Sequence, residues 1–175
     1  MATKTPKIDI GKPSKVHPSV KRGTVNKLMN ALRYFAEETR RLNMRDWGRF
    51  YTKEEIKLYL NYEDSTFPPC GTRGCLAGGI LLTTAEGRKF LKKNNCIKTN
   101  ATFCQVVFPE GTPKVAAKII GLTEGAAKKL FYFKSWGLSR GWPEVFSTAY
   151  EIADDAQGKF DVLKARVFHF IETGK

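Results

Sequence analysis

No run in this chain approaches the roughly 18 consecutive apolar residues needed to span a bilayer, and no apolar stretch follows the first lysines, where a secretory leader would carry one. These absences predict a protein of the cytoplasm with no membrane partner. Cysteine is scarce: Cys70, Cys75, Cys96 and Cys104 are all there are. A chain without an export signal keeps its thiols reduced, so no disulfide scaffold is expected. Histidine is scarcer still, at His17 and His169, which leaves little for imidazole chemistry. No Gly-Lys-Ser/Thr follows a glycine-rich loop, so the P-loop nucleotide class is excluded. Repeats and low-complexity tracts are absent as well.

What the chain has is positive charge. Thirty Lys and Arg stand against 17 Asp and Glu, a formal net charge of +13 over 175 residues. Such a balance favours polyanionic partners and steered encounter with them, and it is silent about fold. With 42% hydrophobic residues the length suits one core and therefore one domain.

Residues 1–23 hold six Lys or Arg, three prolines and only scattered aliphatics. That composition forms no core of its own, so the segment is expected to be a flexible basic arm, either a solubilising tail or a phosphate-seeking one. The folded domain is expected over 24–175. Thr24 reads as an N-cap for an amphipathic helix with Val25, Leu28, Met29, Leu32, Phe35 and Leu42 on its inner face. Thr52 with Glu55 opens a second helix over about 53–62. CLAGGILL reads as a short buried helix, and Thr83 with Glu86 starts another that reaches about Lys93. The segment 96–108 has the partial alternation of a small hairpin. Thr112 and Pro113 begin a helix that Gly121 ends, Thr123 caps the next, Trp142 and Pro143 open one toward Asp155, and a last helix runs inward on Phe160, Leu163, Val167, Phe170 and Ile171 to Gly174. The fold class is mainly α: a multi-helix single domain with at most a small β-hairpin, behind the basic arm.

The stretch from Cys70 to Gly78, CGTRGCLAG, resembles a signature of small uncharacterised bacterial and phage proteins, CGTxxCxAG. The loop from Met44 to Trp47, the segment AAKIIGLTEGAAKKLF, the Trp142-Pro143 helix start and the closing VFHFIETGK are similar to the corresponding pieces of that family. The resemblance covers most of residues 40–175, with an insertion around 94–111. It implies a bacterial or phage setting and carries over no catalytic residue.

Among candidate chemistries, the spacings C-x4-C and C-x7-C do not form the two close pairs of a structural zinc site, so no metal is expected. Cys75 beside Arg73 at a helix start has the setting of an acidified thiolate. It would need His169 as base, and the plainer reading is a small buried side chain. Catalytic residues and cofactors are therefore not assigned. Gly71, Thr72, Arg73 and Gly74 form a turn whose amides suit an anion, or which simply lets the next helix pack closely. From Val115 to Leu130 the chain fits a helix-turn-helix: Ala116, Ile120, Leu122, Ala127 and Leu130 on buried positions, Ala117 small at the crossing, Gly121 in the turn, Lys128 and Lys129 outside. A plain helical corner satisfies much of the same pattern. Aromatics interleaved with cations in RDWGRFY and FYFKSWGLSRGW suit either stacking on single strands or a core.

The reading that unites these features is a non-enzymatic binding protein that engages nucleic acid or a nucleoprotein. Lys4, Lys7, Lys12, Lys15, Lys21 and Arg22 would act from the arm, with Arg40, Arg41, Arg45 and Arg49 as a basic patch on the domain. The alternatives are a host-targeting inhibitor that takes a protein or nucleotide through the CGTRG turn, a virion or assembly component, and a cysteine-dependent enzyme.

Overall fold

The computed structural model describes residues 8–44, 48–50, 72–94, 106–107, 111–133 and 141–175. Among them are seven helices: α1 (Arg22–Ala36), α2 (Leu76–Thr83), α3 (Ala85–Lys93), α4 (Thr112–Ile120), α5 (Glu124–Phe131), α6 (Glu144–Ile152) and α7 (Ala156–Thr173). A 3₁₀ turn, Thr39–Arg41, follows α1. Three two-residue strands complete the elements: β1 (Arg49–Phe50), β2 (Thr72–Arg73) and β3 (Val106–Val107). They form one antiparallel sheet in the order β2-β1-β3, with Arg49 opposite both Arg73 and Val107. The expected hairpin over 96–108 is thus represented by β3 alone, whose partner is β1; residues 96–105 and 108 lie outside the described set. The helix expected over 53–62 also lies outside it. No helix among the described residues is long and apolar enough to cross a membrane.

The core is organised around α2. Every residue from Leu76 to Leu81 is buried, and a helix apolar on all sides can only sit inside. It packs against α1, α3 and α4. Two glycines make these contacts possible. A Cβ on Gly79 would stand 2.6 Å from the Phe35 ring of α1, and one on Gly87 would stand 2.3 Å from the Leu81 backbone. On the other side α7 packs on α6, α1 and α5, burying Phe160, Leu163, Val167, Phe170 and Ile171. Asp155 starts α7 by accepting a bond from the Gly158 amide at 2.6 Å, the usual way of satisfying a first-turn donor.

Three helix boundaries differ from the sequence reading. The first helix starts at Arg22, after Lys21, and ends at Ala36. Thr24 is not its cap: buried inside the first turn, it donates its hydroxyl to the Ile120 carbonyl at 2.5 Å. Beyond Ala36 the Glu38 carboxylate accepts from the Arg40 amide and starts the 3₁₀ turn, so Leu42 is reached by a separate element. The cap of α3 is Thr84, which accepts from the Gly87 amide at 3.1 Å, whereas Thr83 closes α2 and donates its hydroxyl back to Gly79.

The arm is shorter than its composition implied. From residue 8 onward the chain has a place: Ile10 and Val20 are buried, the Ser14 amide and hydroxyl donate to Glu172 at 2.6 and 2.9 Å, and the His17 amide donates to the Ile171 carbonyl at 2.8 Å. Two aliphatics in a polar segment suffice to seat it against the end of α7. Residues 1–7 lie outside the described set.

Candidate nucleic-acid interface

The helix pair α4–α5 is built from the residues that its pattern singled out. Ala116, Ala117, Ile120, Ala127 and Leu130 are all buried, and Leu122 is half-buried. Gly121 takes the left-handed conformation, φ 71° and ψ 31°, a region that costs a side-chain-bearing residue about 1–2 kcal/mol. In that geometry the amides of Gly121 and Leu122 reach back to the carbonyls of Lys118 and Ala117 at 3.1 and 3.0 Å, the reciprocal closure typical of helix C-termini. The remaining carbonyls at this end are met from α1: Lys27 Nζ donates to Ile119 at 2.6 Å and Thr24 to Ile120. A lysine here also opposes the negative end of the α4 dipole. Thr123 then caps α5 through the Ala126 amide at 3.3 Å.

The far side of α5 is held by Arg166 of α7. This guanidinium is fully buried, and it donates to the carbonyls of Lys129 and Lys175, each at 2.9 Å. Its third group, Nε, has no hydrogen-bond partner among the described residues, and the Phe146 ring lies 5.8 Å away. Burial pulls its pKa down to about 10, so it remains charged at neutral pH.

These contacts set α5 as a ridge between two crevices. One, of about 340 Å³, lies toward α4 and is lined by Lys114, Lys118, Leu122, Glu124, Lys128 and Tyr132, among others. The other, of about 420 Å³, lies toward the end of α7 and is lined by Gly125, Ala126, Lys128, Lys129, Gly174 and Lys175 with Phe170. Lys128 borders both. The N-terminal segment runs past the second crevice: a side chain on Gly174 would stand 2.8 Å from Ser19 Oγ and 3.0 Å from His17 Nδ1. It continues to Thr24 at the end of α4, so exposed Lys15, Lys21 and Arg22 lie between the ends of α7 and α4.

Carboxylates near this face are already engaged. Glu172 takes the two bonds from Ser14, which with Lys15 and His169 hold it below the ordinary carboxylate range, and Glu124 stands 3.7 Å from Lys128. Burial first, and then the neighbouring Cys75 and Glu124, push the Tyr132 phenol above its usual value, so it stays a neutral hydroxyl at neutral pH.

The other expected basic patch has a different character. Arg40 forms a forked pair with Glu38, both contacts at 2.8 Å, and this bonding holds the Glu38 carboxyl below its ordinary value against the effect of burial. Arg41 binds Glu37 at 3.1 Å and the Tyr34 carbonyl at 2.8 Å, with its guanidinium 4.6 Å from the Tyr34 ring centre. Both cations serve the chain. Arg45 lies outside the described residues, as do Lys4 and Lys7, and Arg49 is described only as a strand position. Lys12 is exposed.

The anion turn changes meaning too. Thr72 and Arg73 are β2, and buried Gly74 donates its amide to the Arg41 carbonyl at 2.8 Å while accepting from Asn43 at 2.9 Å. Gly74 therefore has no amide to offer an anion; Gly71 is outside the described residues. Cys75 is fully buried at the start of α2, and His169 lies with its ring 5.5 Å from Phe146. Among the described residues no group of His, Cys, Asp or Glu is placed to hold a metal ion. Phe131, Phe133 and Trp142 are core, not stacking platforms: all are buried, and Trp142 donates to the Leu130 carbonyl at 2.8 Å. Trp47, Phe50, Tyr51 and Trp136 have no described side chains.

Comparison with known proteins adds nothing to this geometry. No family model, curated protein or solved structure matches the chain. The interface has to be read from its own residues. Sequence reasoning did not single out Lys114, Lys118 and Lys175, which line these crevices; the first two are spaced i, i+4 on α4, a visible sign of a shared face, whereas Lys175 is placed by the end of α7 and by the Arg166 bond to its carbonyl.

Proposed function

We propose that this protein binds nucleic acid, or a nucleoprotein, through phosphate contacts made by the lysines around α5 together with Lys12, Lys15, Lys21 and Arg22, and that it has no catalytic role. The observation that carries the reading is the convergence of cations from three separate parts of the chain on one end of the domain, where the nearby carboxylates Glu124 and Glu172 are already taken. Exposed lysines keep a counterion atmosphere, reduced at Lys128 by its 3.7 Å pairing with Glu124, and a polyanion that displaces those ions gains their release. Lys4 and Lys7, outside the described residues, belong to the same proposal as further phosphate contacts. The resemblance of CGTRGCLAG to bacterial and phage proteins suggests the cytoplasm of a bacterial cell as the setting, with a phage origin.

The test is binding of labelled oligonucleotides to the full chain across a salt series. Five or six phosphate contacts predict a log–log slope of about −5 on a duplex. A slope near zero, or no binding at low salt, overturns the proposal and points to a protein partner.

A further inference from the structure

We infer that the ligand is double-stranded B-form DNA and that α5 enters its major groove as the inserted element. The inference rests on the phosphate-binding reading above and goes further by naming the form of nucleic acid and the helix that meets it.

The argument starts from the two crevices. A single strand offers one row of phosphates, whereas a duplex groove is bordered by two. Here cations flank α5 on both sides: Lys114 and Lys118 across the first crevice, Lys129 and Lys175 in the second, with Lys128 between. A helix with its side chains is about 10–12 Å across, and the major groove of B-DNA is about 12 Å wide. A groove that takes a helix of this diameter would bring one wall toward Lys114 and Lys118 and the other toward Lys175. A-form RNA has a deep, narrow major groove that does not admit a helix, so duplex RNA does not fit the same ridge.

The ridge itself is shaped for close approach. Its first turn carries Gly125 and Ala126, Gly125 is exposed, and a Cβ built on it meets no atom within 4 Å. Its φ is not left-handed, so the backbone does not call for a glycine there, and glycine is a weaker helix former than alanine. A helix that has to lie close against base edges gains from lacking a side chain at that point. The exposed positions Thr123, Glu124, Gly125, Lys128 and Lys129 include no Arg, Asn or Gln, and the lysines among them can reach either a phosphate or a guanine edge.

The experiment uses the full chain and its Gly125→Leu variant, with duplex DNA, duplex RNA and single-stranded DNA of equal length at one moderate salt concentration. Leucine at this position meets open space and is a good helix former, so circular dichroism and melting should match or exceed the parent's. The expected result is tighter binding of duplex DNA than of either other ligand, and at least a tenfold loss for duplex DNA in the variant with little change for single strands. Equal binding of all three ligands, or a variant that binds duplex DNA as the parent does, overturns the insertion of α5 and leaves the phosphate reading standing. Failure of the parent to bind any of them overturns both.

Discussion

An Arg166→Ala variant is expected to lose about 3–5 kcal/mol of stability, the cavity cost of emptying a large buried side chain together with the cost of leaving two buried carbonyls unmet. Three effects compete at this residue. The cost of burying a guanidinium opposes folding and is already visible in the lowered pKa of about 10. Against it stand two hydrogen bonds to carbonyls, 2.9 Å each, and the volume of the side chain itself. Arg166→Met separates these effects, because methionine fills much of the space and removes the charge but bonds neither carbonyl. If the bonds to Lys129 and Lys175 outweigh desolvation, the methionine variant is destabilised by about 1–3 kcal/mol, the cost of leaving buried acceptors unmet. If it is as stable as the parent or more so, desolvation wins and Arg166 is retained for what it positions. Urea denaturation decides between them. In either variant the backbone carrying Lys129 and Lys175 loses its common anchor, so nucleic-acid affinity is expected to fall several-fold in protein that is still folded.

Gly87→Ala is expected to cost about 3 kcal/mol, at the upper end of overpacking in a filled core. The added methyl would stand 2.3 Å from both the Cα and the carbonyl oxygen of Leu81. Those are backbone atoms of the central helix, so no side-chain rotation relieves the contact; α3 has to move as a body away from α2. The same exchange at Gly125 is expected to act in the opposite direction. With open space around it, Gly125→Ala gains roughly 0.5–1 kcal/mol from helix propensity and a less flexible unfolded chain. Thermal melts of the two variants beside the parent check the pair. Equal shifts would mean that the close approach of α3 to α2 is not as described.

The architecture was legible where it depends on spacing along one helix. The apolar positions of α4, α5 and α7 recur at three and four residues, and Gly121, Thr123 and Gly174 mark ends by local chemistry; Asp155, expected toward the end of α6, instead caps α7. It was not legible where a local signal is spent at long range. Thr24 has the chemistry of a cap, yet its hydroxyl goes to Ile120, 96 residues away. Thr83 and Thr84 are alike in composition, and which of them caps α3 is decided by where α2 stops. The pairing of Arg40 and Arg41 has a local cause that went unread, since Glu38 and Glu37 stand two and four residues earlier and are within reach of those guanidiniums. Arg166 falls between Leu163 and Val167 on an apolar stripe, which marks it as unusual; its carbonyl partners could be known only from the packing of α5 and the chain end on α7. The same packing gathers the lysines of α4, α5 and the chain end, which is why charge counting, which names only a class of partner to propose, does not name a face.

The most direct test of that face is a comparison of two variants by duplex DNA binding at about 0.1 M salt, each first shown to be folded. Reversing Lys128 and Lys129 to glutamate changes the local charge by four units and is predicted to weaken binding by roughly 100-fold, with a salt slope shallower by about two. Arg40→Gln, which disturbs a cation already paired with Glu38, is predicted to bind within about twofold of the parent, as expected for a charge that makes no phosphate contact. A large loss for Arg40→Gln with an unaffected double lysine variant would contradict the assignment and move the interface to the other side of α1.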